Sequence, residues 1–135
     1  MSVLPDEKLT RFISSKSGFS IANKTVSYRA FIPPKKNPQE LSVYRISTLM
    51  EDENKIWEIG REYVQGEQTI KARADFLAEV VYENNLKVVA DTQVHKLHAN
   101  IMPLPTNKED RDEILRELAL ASKLVPIPTE LNNND

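Results

Sequence analysis

Residues 69–90 decide the fold class: Thr69-Ile-Lys-Ala-Arg-Ala-Asp-Phe-Leu-Ala-Glu-Val-Val-Tyr-Glu-Asn-Asn-Leu-Lys-Val-Val-Ala90. Thr69–Arg73 alternates as a short strand does, and Leu86–Ala90 is rich in strand-forming residues. Between them, residues 75–83 fit either a strand or a helix, and a helix is preferred because apolar side chains recur at helical spacing and Asn84-Asn85 is typical of a helix end. A strand, a helix and a strand in close succession predict an α+β protein.

The flanking sequence continues this mixture of elements. Val26–Ile32 and Leu41–Ile46 are predicted strands that border a proline loop, and they could pair with each other. Pro5–Ile13 predicts a short helix because proline is favoured at the first helical position and acids follow it. Glu51–Gln65 predicts a longer helix, in which Gly60 allows a close backbone approach.

The clearest single element is the helix predicted over Lys108–Lys123. Thr106 and Glu109 form a capping-box pattern at its start, in which each side chain satisfies a free backbone amide. An apolar stripe follows at helical spacing with charges opposite. Pro126 and Pro128 are expected to prevent its continuation, because proline cannot extend a helix.

The organisation that follows is one α+β domain over residues 1–128. Leu97–Ile101 adds a further candidate strand before a proline-containing break. We expect a small mixed sheet of about four to five strands packed on two to four helices. Residues 129–135 are polar, and we predict a disordered tail there.

Composition restricts the function classes. The 135 residues contain no cysteine, which removes disulfides and thiol nucleophiles and is typical of a reducing compartment. The net charge of −2 argues against nucleic acid as a partner, because such binders usually carry a basic surface. The first residues do not follow a signal-peptide pattern, and no apolar run is long enough to span a membrane. We therefore predict a cytoplasmic protein without membrane contact.

Both histidines lie in one stretch, Asp91-Thr-Gln-Val-His95-Lys-Leu-His98. An Asp and two His are the groups from which small hydrolytic or metal sites are built. A continuous helix would place all three on one face, but a predicted strand leads into Asp91, and extended residues 95 and 98 face opposite ways. The sequence therefore predicts no metal site and no cofactor. It keeps Asp91, His95 and His98 as candidate catalytic residues, in which His95 or His98 is the acid–base group and Asp91 or Asn100 orients it, with ordinary surface or boundary residues as the alternative.

Three arginines lie in predicted strands, namely Arg29, Arg45 and Arg73. A guanidinium matches phosphate and carboxylate geometry, so these side chains and Asn100 are candidate ligand-binding groups for an anion. The alternative is a solvated sheet face whose arginines pair with acids. Asp75 is interpreted as a helix N-cap, with a general base beside Arg73 as its functional alternative.

Two classes of function remain. The first is a regulatory or protein-interaction domain with an unidentified protein partner, favoured by ordinary composition and the absence of a phosphate loop or nucleophile elbow. The second is a small enzyme or ligand-binding domain for a phosphate- or carboxylate-bearing molecule, using His95 or His98 with the strand arginines. The sequence leans to the first class. A symmetric homodimer around Ile56 and Trp57 is left open.

Overall fold

The chain folds around a six-stranded sheet, in a computed structural model that describes residues 3–131. In chain order the strands are β1 (Lys8–Ile13), β2 (Phe19–Ser20), β3 (Thr25–Val26), β4 (Leu41–Arg45), β5 (Ala72–Leu77), β6 (Lys87–Ala90), β7 (His98–Met102) and β8 (Lys123–Pro126). The large sheet has the order β6-β7-β4-β1-β5-β8, and β2 pairs separately with β3. The helices are α1 (Glu53–Ile59), α2 (Ala78–Glu83) and α3 (Lys108–Ala121).

Two apolar cores lie on opposite faces of the sheet. Alternate residues of a strand face opposite ways, and in β1 Leu9 belongs to one core while Phe12 belongs to the other. Leu118 of α3 packs in the first core, together with residues of α2. Trp57 of α1 packs in the second core, 6.3 Å between ring centroids from Phe12. The sheet is therefore covered by α2 and α3 on one face and by α1 on the other.

The prediction of an α+β domain is confirmed, but the sheet differs from the expected one. It has six strands rather than four to five, and all its neighbouring strands are antiparallel rather than mixed. The helix predicted over Pro5–Ile13 is wrong, because Lys8–Ile13 is β1. Its apolar spacing serves two cores at once, since Leu9 and Ile13 face one core and Phe12 the other.

The predicted strand Val26–Ile32 is also wrong beyond its first residue. Tyr28–Phe31 forms a 3-10 turn, which Ser27 caps by accepting a hydrogen bond from the Arg29 amide. No pairing across the proline loop occurs in residues 3–131; β4 pairs with β1 and β7 instead. The strand predicted over Leu41–Ile46 is confirmed as β4.

Several other boundaries moved by a few residues. The predicted strand and helix of residues 69–83 are both present, but Asp75 lies inside β5 and is not an N-cap, since α2 begins at Ala78. The helix predicted over Glu51–Gln65 is confirmed as α1 and a π-helical turn, Gly60–Val64. β6 and β7 confirm the strands predicted near Leu86–Ala90 and Leu97–Ile101.

The last helix is present with a different cap and a shorter end. Asn107, rather than Thr106, is the N-cap, and its side chain accepts a hydrogen bond from the Asp110 amide at 3.0 Å. The chain then turns at Ser122 into β8 instead of continuing to Lys123. Within the predicted disordered tail, Thr129–Leu131 forms a 3-10 turn, while residues 132–135 lie outside the described residues.

Candidate functional site

A gap between two central strands creates the candidate site. β1 and β4 pair at two positions, Leu9 with Arg45 and Thr10 with Tyr44. Both strands continue beyond the second pair, but they are no longer paired with each other there. From Arg11 onward β1 pairs with β5 alone, and β4 continues beside β7. Backbone groups facing the gap need other partners, because a buried polar group without one is costly.

Arg11 fills this gap with its guanidinium. Its Nη1 donates to the Ser42 carbonyl oxygen at 2.9 Å, its Nε to that of Ala30 at 3.1 Å, and its Nη2 to that of Ile32 at 3.4 Å. Carbonyl oxygens are neutral, and within residues 3–131 no carboxylate forms an ion pair with Arg11. Burial lowers the pKa of Arg11 to about 10, so the side chain remains charged at neutral pH. The gap therefore holds a positive charge that has no carboxylate partner among the described residues.

His98 lies beside Arg11 and is hydrogen-bonded through both ring nitrogens. Its Nδ1 is 2.9 Å from the Asp91 carbonyl oxygen, and its Nε2 is 2.7 Å from the Ser42 Oγ. A carbonyl oxygen can only accept, so Nδ1 carries the proton in the neutral ring and Nε2 accepts from the Ser42 hydroxyl. His98 is 5% exposed, and the Tyr44 ring packs edge-on against it at 5.3 Å.

Asp91 holds this arrangement together from the other side. Its amide donates to the His98 carbonyl oxygen at 2.9 Å, which closes the loop between β6 and β7. Its Oδ2 accepts from the Asn100 Nδ2 at 3.3 Å and lies 3.8 Å from the His98 Nδ1. The structure thus brings together Asp91, His98 and Asn100, three of the residues that the sequence singled out.

A cavity of about 310 Å³ opens onto these polar groups. We call it the Arg11–His98 cavity. Apart from Arg11, Ser42 and His98, its walls are apolar and aromatic, contributed by the side chains of Phe12, Tyr44, Tyr63, Val64 and Val94. Ligand sites typically combine such walls with a few polar groups that fix orientation.

His95 faces a neighbouring cavity of about 250 Å³, which it shares with Tyr63, Glu62 and Lys96. Its Nδ1 accepts a hydrogen bond from the Leu97 amide at 3.0 Å, and the Tyr63 ring packs edge-on against it at 4.9 Å. Desolvation, followed by the nearby Lys96 charge, lowers the pKa of His95. His95 therefore does not join the hydrogen-bond chain of His98, and its role as an acid–base group remains a prediction.

The three arginines predicted to bind an anion lie elsewhere. Arg45 makes two 2.8 Å contacts with the Glu7 carboxylate, a fork-to-fork pair. Arg73 is buried, pairs with Asp75 at 3.1 Å and stacks on the Trp57 ring at 4.8 Å. Both guanidinium groups already have carboxylate partners and do not line the Arg11–His98 cavity.

Arg29, the third of these arginines, is exposed and lies over the Tyr28 ring at 5.1 Å. It stands in the 3-10 turn of residues 28–31, not in a strand, so the strand geometry that made it a candidate is absent. An anion site at Arg29, Arg45 and Arg73 would need these groups to converge, and the described contacts place them in three separate environments.

Sequence reasoning missed Arg11 and Ser42. Arg11 was not recognised because its segment was interpreted as a helix. In the strand that actually forms, Arg11 lies between Leu9 and Ile13 in an otherwise apolar row. A charged residue in such a row is the signal that could have identified it, since a charge facing a core requires compensation. Ser42 gave no signal of its own, because a serine in a strand is unremarkable without knowledge of the opposite strand.

Comparisons with known proteins found no match: no protein-family model, curated protein or solved structure matches the chain. Within residues 3–131, no three His, Asp or Glu side chains are grouped so that they could hold a metal ion. In the same range, no helix has both the length and the apolar character needed to cross a membrane.

Proposed function

We propose that the protein binds a small molecule carrying a carboxylate or phosphate group in the Arg11–His98 cavity. The observation that carries this proposal is the charged Arg11 guanidinium, whose described partners are all carbonyl oxygens. Arg11 is partly buried, and a charge that is partly removed from water without an opposite charge is costly, so a bound anion would compensate it through charge-assisted hydrogen bonds. Ser42 and His98, which are hydrogen-bonded to each other, line the same cavity as Arg11.

The lining of the cavity supports an anion attached to an apolar body. Tyr44 and Phe12 are buried and form one wall, while Tyr63 is 46% exposed and Val94 is 50% exposed. Apolar surface of this kind gains free energy when a ligand removes it from water. We therefore expect an organic carboxylate such as benzoate to bind more tightly than acetate.

The protein-interaction function to which the sequence leans remains a separate prediction with a weaker structural basis. The most exposed large apolar side chains, Leu4, Ile21 and Leu120, belong to different segments of the chain. Apolar residues that are exposed singly are normal on protein surfaces and do not by themselves indicate a partner.

The two histidines allow a direct test in the wild-type protein. His98 lines the proposed cavity and His95 lines the neighbouring one, so their ring resonances report the two places separately by NMR. Titration with phosphate, acetate and benzoate should shift the His98 resonances saturably, with smaller changes at His95. An unchanged His98 ring at tens of millimolar of all three anions would refute the proposal.

Two arginine variants then test whether Arg11 supplies the positive charge that binds the anion. Arg11→Lys keeps a cation but loses the planar fork, so it should weaken anion binding while preserving most of the fold. Arg29→Lys is the matched control, because Arg29 is exposed and contacts only an aromatic ring. Equal affinities in both variants, each confirmed as folded by its amide spectrum, would contradict a role for Arg11.

A further inference from the structure

A chain of two hydrogen bonds links a backbone carbonyl to a serine hydroxyl inside the Arg11–His98 cavity. The Asp91 carbonyl oxygen accepts from the His98 Nδ1 at 2.9 Å, and the Ser42 hydroxyl donates to Nε2 at 2.7 Å. The carbonyl fixes the tautomer, which leaves the Nε2 lone pair directed at the serine proton. Nucleophilic serine sites share this relation, in which a third group orients the histidine that activates the hydroxyl.

The position of Arg11 adds the charge that such chemistry needs. A guanidinium has five N–H groups, three of which donate to the described carbonyls, so two remain for a ligand. Its Nη1 is 2.9 Å from the backbone carbonyl oxygen of Ser42, so the cation contacts the residue that carries the candidate nucleophile, and both residues line the same cavity. A positive charge at this place stabilises the oxyanion that develops when a hydroxyl attacks a carbonyl.

From this geometry we propose that Ser42 is a nucleophile, activated by His98, that hydrolyses a small carboxylic ester with an apolar body. The inference rests on the proposed function, because the carboxylate product is then the anion that the Arg11–His98 cavity binds. The apolar walls formed by Phe12, Tyr44 and Tyr63 accommodate the ester's carbon chain or ring. Arg11 would hold first the oxyanion and afterwards the product.

The reaction is balanced with water as the only co-reactant. The Ser42 Oγ forms a bond to the ester carbonyl carbon while its proton passes to the His98 Nε2. The bond between that carbon and the alkoxy oxygen then breaks, and the departing alcohol takes the proton from Nε2. Water attacks the acylated serine, its proton passes by Nε2 back to Oγ, and the carboxylic acid leaves and ionises.

Covalent labelling tests the nucleophile directly. An alkyl fluorophosphonate forms a P–O bond with an activated serine and releases fluoride, so intact mass and peptide mapping identify the modified residue. We expect one label on Ser42 in the wild-type protein and none in Ser42→Ala. Ser17→Ala, which changes an exposed serine, is the matched control and should label as the wild type does.

The base is tested by His98→Gln, which should slow labelling and p-nitrophenyl butyrate hydrolysis by about 100-fold or more. Labelling of another serine, or equal rates in the wild type and in folded His98→Gln, would overturn the proposal. So would a wild-type protein that binds phosphate or benzoate but is not labelled at Ser42, and in that outcome the anion-binding function stands. If neither anion binding nor labelling occurs, both proposals fail.

Discussion

Gly60→Ala tests whether a backbone contact beside the Arg11–His98 cavity is as close as the structure shows. A Cβ at Gly60 would lie 2.7 Å from the Cδ1 and Cε1 atoms of Phe12, closer than ordinary van der Waals contact. Phe12 is 7% exposed and its ring packs against Tyr44 and Trp57, with centroids 6.0 and 6.3 Å away. The ring therefore has little room to move away from the added methyl group.

Two effects of opposite sign determine the result. Alanine in place of glycine stabilises a helix interior by about 1 kcal/mol. Insertion of a methyl group into a packed core costs about 1–3 kcal/mol. We expect the clash to exceed the gain in helix propensity. The difference between the cost and the gain predicts that Gly60→Ala lowers the free energy of unfolding by about 1 kcal/mol.

Urea unfolding followed by Trp57 fluorescence measures this change, since Trp57 is the only tryptophan. Gly66→Ala is the matched control, because a Cβ there meets nothing within 4 Å, and it should change stability by less than about 0.5 kcal/mol. In a Phe12→Leu background, which removes the Cε1 and Cζ atoms, the loss at Gly60 should shrink. A Gly60→Ala protein more stable than the wild type would refute the reasoning.

Three further predictions address charge and capping. His95→Gln should reduce the loss of stability that the wild type shows below about pH 6.5. The pKa of His95 is lowered in the folded state, so the unfolded state takes up the proton first as the pH falls, and this favours unfolding. Urea midpoints at several pH values measure the effect, and the same pH dependence in both proteins would contradict it. Asp75→Ala should cost about 3–5 kcal/mol, since it removes the buried partner of Arg73; a loss under about 1 kcal/mol by urea unfolding would show that the pair contributes little. Asn107→Ala should cost about 1 kcal/mol in the same assay and Thr106→Ala less than about 0.5 kcal/mol, and the reverse order would restore the capping box.

Local sequence patterns correctly predicted the elements that bury side chains on one side only. α3 and α1 each bury one stripe of side chains, so apolar spacing identified both helices. β4 and β7 were identified by strand-forming residues and clear breaks. β1 was misread because it lies in the middle of the sheet and is buried on both faces, where consecutive apolar residues imitate helical spacing.

The site was found in part for a related reason. The clustering of Asp91 and His98 is visible in the sequence because a single loop joins them. Arg11 and Ser42 come from strands that lie apart in the chain and meet only in the folded sheet. Prediction of their contact requires knowledge that β1 and β4 are neighbours and that their pairing stops at Thr10.

The strand order also bears on how the large sheet can assemble while the chain is being synthesised. Among the strands of the large sheet β1 is synthesised first, and it lies between β4 and β5, the next two to be made, which add to its two sides. β7 then joins β4 and brings with it β6, which is made earlier and pairs with β7, and β8 completes the opposite edge beyond β5. No strand has to be inserted between two strands already paired, and only β6 has to wait for a later strand, β7, before it can join the sheet. A sheet whose contacts are distant in sequence can in this way grow outward from its first strand, with β6 and β7 joining as a pair.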